Sequence, residues 1–395
     1  MSSQPTSQTM QNTPENKAIL CDPNPDEQWE VDEQSMQRYT AGQLQMVWWK
    51  FRKHRMAVWS GLIILVLYLM GMFCEFLAPY PLETRDVTYA YAPPQRIRFV
   101  AEDGFHLRPF VYPIKSMRDP VTLQRVYVED RSRILPLRFF MQADPYHFWN
   151  LIPMNRHLVG VEEGGTFFLL GTDSLGRDLF SRILYGARIS LTIGLIGVTM
   201  SFVLGLIIGA ISGYYGGWID NAIQRVIEII RSFPAIPLWM ALAAALPATW
   251  SPLQVYFGIT IVLSFIGWTG LARQVRGKIL SLREEDYATA AKLCGTSEWR
   301  IMTKHLLPAF MSHIVVSLSL AVPGMILGET ALSFLGLGLR PPITSWGVLL
   351  KEAQNIQSVA LHPWLLTPVV FVIIAVLSFN FVGDGLRDAA DPYSR

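Results

Sequence analysis

Charge is scarce in this chain. Only 16% of its 395 residues are Asp, Glu, Lys or Arg, while 51% are hydrophobic; average soluble domains carry about a quarter charged residues. The net charge is +2, so no face is dominated by one sign and a nucleic-acid partner is not expected. Cysteine is nearly absent. Cys21, Cys74 and Cys294 are too few and too scattered for a disulfide framework or a metal site. Catalytic signatures are missing as well. Gly277-Lys278 is followed by Ile279 and lacks the upstream glycine of a phosphate-binding loop. The seven histidines form no HExxH pair and no metal-ligand spacing with cysteine, and there is no Gly-x-Ser-x-Gly elbow. The polar N-terminus, up to about Tyr39, has no basic region followed by an apolar core. It is expected to be a disordered tail, not a cleaved signal.

Long apolar runs take the place of charge. A helix needs about 20 apolar residues to cross a bilayer core. Ala57–Leu77 qualifies, with Glu75 its single acid and Pro79 following; Ile189–Ile211 carries no charge at all. Ser232–Ala272 holds 41 residues without a charge, too long for one span. Pro247 and Ser251-Pro252 divide it into a hairpin of two spans, the first starting near Ile219. Leu306–Leu339, with only Glu329 charged, is the fifth span, and the stretch from about Trp364 to Gly383 is the sixth. Six spans are expected. Lys50, Arg52, Lys53 and Arg55 precede the first, and seven basic residues lie between Arg273 and Lys304. By the positive-inside bias both termini and the loop between spans four and five face the cytoplasm. Ala78–Arg188 faces outward; its 14 basic residues do not conflict, since loops that long translocate largely regardless of charge.

That cytoplasmic loop contains Asp286–Pro308, DYATAAKLCGTSEWRIMTKHLLP, which reads as two short helices. The first ends at Gly295, where a left-handed residue closes a C-cap cheaply. The second starts with Thr296 or Ser297 as N-cap and ends before Pro308. Ala288, Ala290 and Ala291 are read as a face that another backbone can approach closely. The reading is a docking element; an ordinary loop without a partner is the alternative. Gly205 and Gly209 form a small-xxx-small pair that serves either packing within the subunit or a subunit interface. Glu329, alone in its span, either marks a pathway or is solvated near the outer interface.

Asp286–Pro308 resembles the "EAA" coupling loop of type I ABC-importer permeases, Glu-Ala-Ala-x3-Gly-x9-Ile-x-Leu-Pro. Here it reads Thr289-Ala290-Ala291, three residues, Gly295, nine residues, His305-Leu306-Leu307-Pro308. Threonine replaces the glutamate, and histidine replaces the isoleucine as in the dipeptide/oligopeptide/nickel branch. Further matches are Gly171-Thr172-Asp173-Ser174-Leu175-Gly176-Arg177-Asp178 with Ser181-Arg182 and Tyr185–Arg188, and Gly213–Asp220. Leu332–Gly338, Ser345-Trp346-Gly347, and Phe379–Asp388 through Asp391-Pro392 complete them. The resemblance spans about Leu169 to Arg395 and, more weakly, the first span, and is to the second, "C"-type permease of that branch.

The resemblance implies an all-α polytopic membrane protein of six transmembrane helices with a small β-containing extracytoplasmic insert. Its divisions are a cytoplasmic tail 1–56, a first helix 57–78, the insert 79–187, a five-helix domain 188–388, and a cytoplasmic end 389–395. It further implies a pore half without its own motor, in a bacterial inner membrane. Its partners would be a homologous second permease, two ABC ATPase subunits, a periplasmic solute-binding protein and membrane lipid. No cofactor is expected in this chain, ATP and magnesium being held by the ATPases. Asp286, Tyr287, Ala290, Ala291, Gly295, Leu307 and Pro308 are the implied ATPase-coupling residues; Glu329 and Asn380 are pore or gate candidates. Peptides are the expected substrates, with nickel chelates or short oligosaccharides as alternatives. An ion-coupled secondary transporter is the reading from another class, but it calls for repeated broken helices and acids in both halves.

The insert is long for this branch. Gln95–Val100 and Gln124–Glu129 alternate polar and apolar residues as strands do, between prolines such as Pro93, Pro109 and Pro145. It is expected to contact the binding protein or gate the pore, or else to cap the partner permease.

Overall fold

The computed structural model describes residues 43–390 apart from 103, 119, 121–124, 150 and 163–164, with the backbone alone at 43–44 and 143–144. Most of the polar tail, and Asp391-Pro392, lie outside the described residues. Helix α1 is Gln43–Lys53. His54 then caps α2 (Arg55–Met72), its Nδ1 accepting from the Ala57 amide at 3.2 Å. At Phe73 the helix breaks and α3 (Cys74–Leu77) follows.

The insert folds as three small antiparallel sheets. One joins β1 (Arg98–Ala101), β2 (Gly104–Val111) and β5 (Leu135–Pro136); a second joins β3 (Ile114–Arg118) and β4 (Arg125–Glu129). The third is the long hairpin of β6 (Arg138–Phe148) and β7 (Ile152–Gly160). The strand expected from Gln95 starts three residues later. Gln95 is occupied elsewhere, donating from Nε2 to the Tyr112 carbonyl (2.9 Å) and accepting from the Phe168 amide (2.6 Å).

Asp178 caps α4 (Leu179–Tyr215), its carboxylate accepting from the Ser181 amide at 2.7 Å. The 37 residues extend about 55 Å, more than the ~30 Å hydrocarbon core. Its glycines settle the small-xxx-small pair as packing within the subunit. An added Cβ at Gly205, Gly209 or Gly213 would stand 3.0, 2.6 and 2.8 Å from the carbonyls of Trp268, Ala272 and Arg276. Those three carbonyls belong to α7 (Pro252–Leu282), which begins with a Ser251/Gln254 capping box. Two backbones thus lie against each other along matching four-residue repeats.

Among the described residues five helices are long and apolar enough to cross a membrane: α2, α4, α7, α11 (Met311–Phe334) and, after the short α13 (Ile356–Leu361), α14 (Thr367–Ala390). Where the sequence places a third span starting near Ile219, two helices stand at 88°: α5 (Gly217–Ser232) and α6 (Ala235–Ala244). Pro234 makes the corner. It pushes Phe233 out of the helical region to ψ 139° and has no N–H to continue the ladder. The ten residues of α6 extend only about 15 Å, so the pair counts as a sixth span only when taken together. Near one end of the bundle the core gathers around the fully buried Trp346, with Ile183, Leu191, Leu263, Ile326 and Ala375.

Candidate functional site

The segment Asp286–Pro308 closes the other end of the bundle. Helix α8 (Asp286–Leu293) stops in a Schellman cap: the Thr296 amide donates to Ala291 O (3.1 Å) and the Gly295 amide to Lys292 O (3.0 Å). Gly295 has φ +75°, and a Cβ there would meet nothing within 4 Å. Its glycine serves the backbone turn alone. Ser297 takes the N-cap position of α9 (Glu298–Arg300) without using its hydroxyl.

The second helix does not end before Pro308, as the sequence reading had it. Residues Ile301–Leu306 widen into a π-turn, in which the Leu307 amide reaches back to Met302 O, and α10 (Leu307–Ala309) continues past the proline. The wider turn accommodates a residue that has no N–H and whose ring crowds the preceding turn.

The three alanines divide. Ala288 is buried and Ala291 half-buried, both packed on a cluster of Ala210, Val275, Ile279, Ile301, Met302 and Leu306. Small residues there let α8 sit close on its own bundle. Ala290 faces out with Asp286 and Tyr287, and Leu293 and Trp299 stand 84% and 62% exposed. Leu307 is half-buried against the same cluster and Pro308 is exposed.

The floor under α8 is tied by charge. Arg276 on α7 holds the Asp220 carboxylate with two N–H groups; Ser212 Oγ donates to the same carboxylate at 2.5 Å. Arg283 donates to the carbonyls of Gly213 (3.2 Å) and Tyr214 (3.1 Å) at the C-terminus of α4. A cation suits that helix end.

Glu329 on α11 is fully buried. It accepts from Ser190 (3.2 Å), Ser333 (2.7 Å) and Ser345 (2.6 Å). Each hydroxyl also accepts a backbone amide, from Trp346 (3.1 Å), Leu339 (3.1 Å) and Val348 (3.2 Å) respectively. One carboxyl therefore joins α4, α11 and the start of α12 (Trp346–Lys351). Asn380 is half-buried on α14, and no hydrogen bond joins it to Glu329.

A second polar cluster was not singled out residue by residue from the sequence. Asp173, 0% exposed, accepts from the amides of Leu175 (2.8 Å) and Arg177 (3.0 Å), from Arg177 Nε (2.6 Å) and from the Arg182 guanidinium. Glu352, just past α12, accepts from Arg177 (3.1 Å), Arg182 (3.3 Å) and Ser174 Oγ (3.3 Å). The available signal was two arginines at 177 and 182 beside acids in a charge-poor chain; Glu352 is too distant in sequence to be paired with them. Next to this cluster, burial pushes the Asp178 carboxyl up to about 7, against the opposing pull of hydrogen bonds from Ser181. Among the described residues no three His, Cys, Asp or Glu side chains are grouped as metal ligands.

Residues 205–395 match the family model of binding-protein-dependent transport system inner membrane components. Residues 42–94 match that of the N-terminal TM domain of oligopeptide transport permease C. The chain is 45% identical over 234 residues to the oligopeptide transport system permease protein OppC of Haemophilus influenzae, covering 59% of this chain and 72% of the relative. It is 41% identical over 239 residues to OppC of Escherichia coli K12, covering 59% and 74%. With the glutathione transport system permease protein GsiD of Pectobacterium atrosepticum it shares 40% over 223 residues, covering 56% and 72%. With five membrane-length helices, a bent sixth and this likeness, the chain belongs to the family of binding-protein-dependent transport system inner membrane components, in its C-type permease branch.

Proposed function

We propose that this chain is one of two homologous permease subunits of an ATP-driven importer for peptides. A solute-binding protein delivers the substrate from the side of the insert, and two ATPase subunits dock on the opposite side. Both termini and α8 then face the cytoplasm of a bacterial cell, in keeping with the basic residues beside them. Relatives named for oligopeptides and for glutathione support short peptides as the substrate class.

The observation that carries this reading is the outward face of α8. Asp286, Tyr287, Ala290 and Leu293 stand exposed on a helix whose other face is packed onto α4 and α7. A helix seated in an ATPase groove and fixed to the spans beneath it transmits rigid-body motion. The Asp220–Arg276 and Arg283 contacts supply that fixing. Closure of the ATPases on ATP then biases the pore between two packings, provided the groove contacts α8 differently in each. Thr289 leaves no acid at the usual glutamate position, so docking rests on shape through Ala290, Gly295 and Leu293. Of the two pore candidates, Glu329 positions helices, and Asn380 remains the candidate for meeting solute.

The test is to co-express this chain with a candidate second permease, ATPases and binding protein and reconstitute the complex that forms. Peptide uptake should require ATP and the loaded binding protein. Uptake driven by an ion gradient without ATP would contradict the proposal.

A further inference from the structure

Between α2 and the tip of the β6–β7 hairpin runs a groove of about 630 Å³, within the range of small-molecule sites. Val66, Leu69 and Phe73 form one wall; Phe148, Ile152 and Met154 form the other. Among the described residues no polar side chain lines it, so these walls offer nothing to orient a peptide.

Its depth follows from α2. That helix ends at Met72, and Val66 lies six residues earlier, about 9 Å down the axis. The α2 wall therefore descends from the membrane surface into the hydrocarbon layer on the insert's side, while the hairpin wall stands at its boundary. A two-stranded hairpin has unpaired edges and cannot enter hydrocarbon, so its tip rests at the interface. Trp149 marks that level, its Nε1 donating to Met72 O at 3.1 Å while the Arg188 guanidinium lies 4.4 Å from its ring centroid. Arg188 is itself paired with Glu75, whose Oε1 it holds at 2.6 Å. Tryptophan is enriched at membrane–water interfaces.

The groove adjoins an exposed apolar side of α2, where Leu65, Val66, Leu69 and Met72 are 42–53% exposed. Charge completes the site. Ile152, Met154 and Arg156 share one face of β7, so a cation stands two residues beyond the apolar wall, away from the tip. Arg156 is exposed and makes no ion pair among the described residues. We propose that this groove binds a phospholipid of the leaflet on the insert's side, one acyl chain between α2 and the hairpin and the phosphate at Arg156.

The test uses the reconstituted complex in vesicles containing phosphatidylglycerol with a diazirine in its acyl chain. After irradiation, labelled peptides are mapped by mass spectrometry. Label should concentrate on residues 66–77 and 148–154 relative to the exposed Ile373 and Ile374 of α14. Arg156→Glu should lower label at Ile152 by about fivefold or more, from the ~1 kcal/mol that a basic residue contributes near an anionic surface, and leave α14 unchanged. Arg156→Lys should retain it. The proposal is overturned if residues 148–154 take no label, as when the second permease covers the groove. It is equally overturned if Arg156→Glu leaves the pattern unaltered.

Discussion

Replacing Glu329 separates a helix-positioning role from a pore role. In Glu329→Ala three buried hydroxyls lose their acceptor and a void replaces the carboxyl. At about 1 kcal/mol for each hydrogen bond, somewhat less in a bilayer, and roughly another for the cavity, the loss is about 3 kcal/mol. Through the usual relation of stability to melting temperature this lowers Tm by on the order of 5–10 °C. Glu329→Gln behaves differently. Its Oε1 still accepts from Ser333 and Ser345, and its amide donates to Ser190 Oγ, so the cost is under about 1 kcal/mol. The assay is thermal unfolding of the purified complex in detergent, followed by size-exclusion fluorescence, with peptide uptake measured in parallel. The reasoning is refuted if Glu329→Ala melts with the parent protein, or if Glu329→Gln keeps the parent Tm yet abolishes uptake.

Glu352→Ala should cost about 3 kcal/mol, because it strips one acceptor from Arg182, which is 3% exposed, and removing one partner of a buried pair leaves an uncompensated charge; Glu352→Asp should recover part of the Tm. Gly209→Leu should block assembly, since even a Cβ would sit 2.6 Å from Ala272 O, whereas Gly277→Leu, with open space around it, should leave the yield unchanged; detergent-extracted complex per cell measures both. Asp178 gives a pH signature. Its folded pKa of about 7 lies above the ordinary 3.8, so the folded state holds an extra proton between those values. Its contribution to stability is complete below pH ~4 and is lost as pH rises through 7. Tm of the parent should fall relative to Asp178→Asn across that window, and parallel profiles would refute the shift.

The helical architecture was legible because apolar runs of bilayer length and the Pro247 and Pro252 breaks are local signals. The corner at Pro234 was not read, because an uncharged run of 41 residues hid a proline that acts on the residue before it. The Gly205/Gly209 stripe was visible, but its partner carbonyls on α7 lie some 60 residues away and no pattern in α4 names them. In the α8 region spacing showed the two helices and the Gly295 cap. It did not show which alanines face inward, since that depends on where α8 rests on Ala210 and Ile279. Nor did it foresee the π-turn that carries the helix past Pro308. The Glu329 and Asp173–Glu352 clusters join residues more than a hundred positions apart, so only the fold could bring them together.

The claim that the outward face of α8 docks the ATPase is tested most directly by placing a photo-reactive p-benzoylphenylalanine at Leu293 or Ala288 in the complete complex. The account predicts a cross-link to the ATPase from exposed position 293, changing in yield when ATP is added, and none from buried position 288. Cross-linking to the ATPase from 288 alone, or from neither position in an assembled complex, would contradict it.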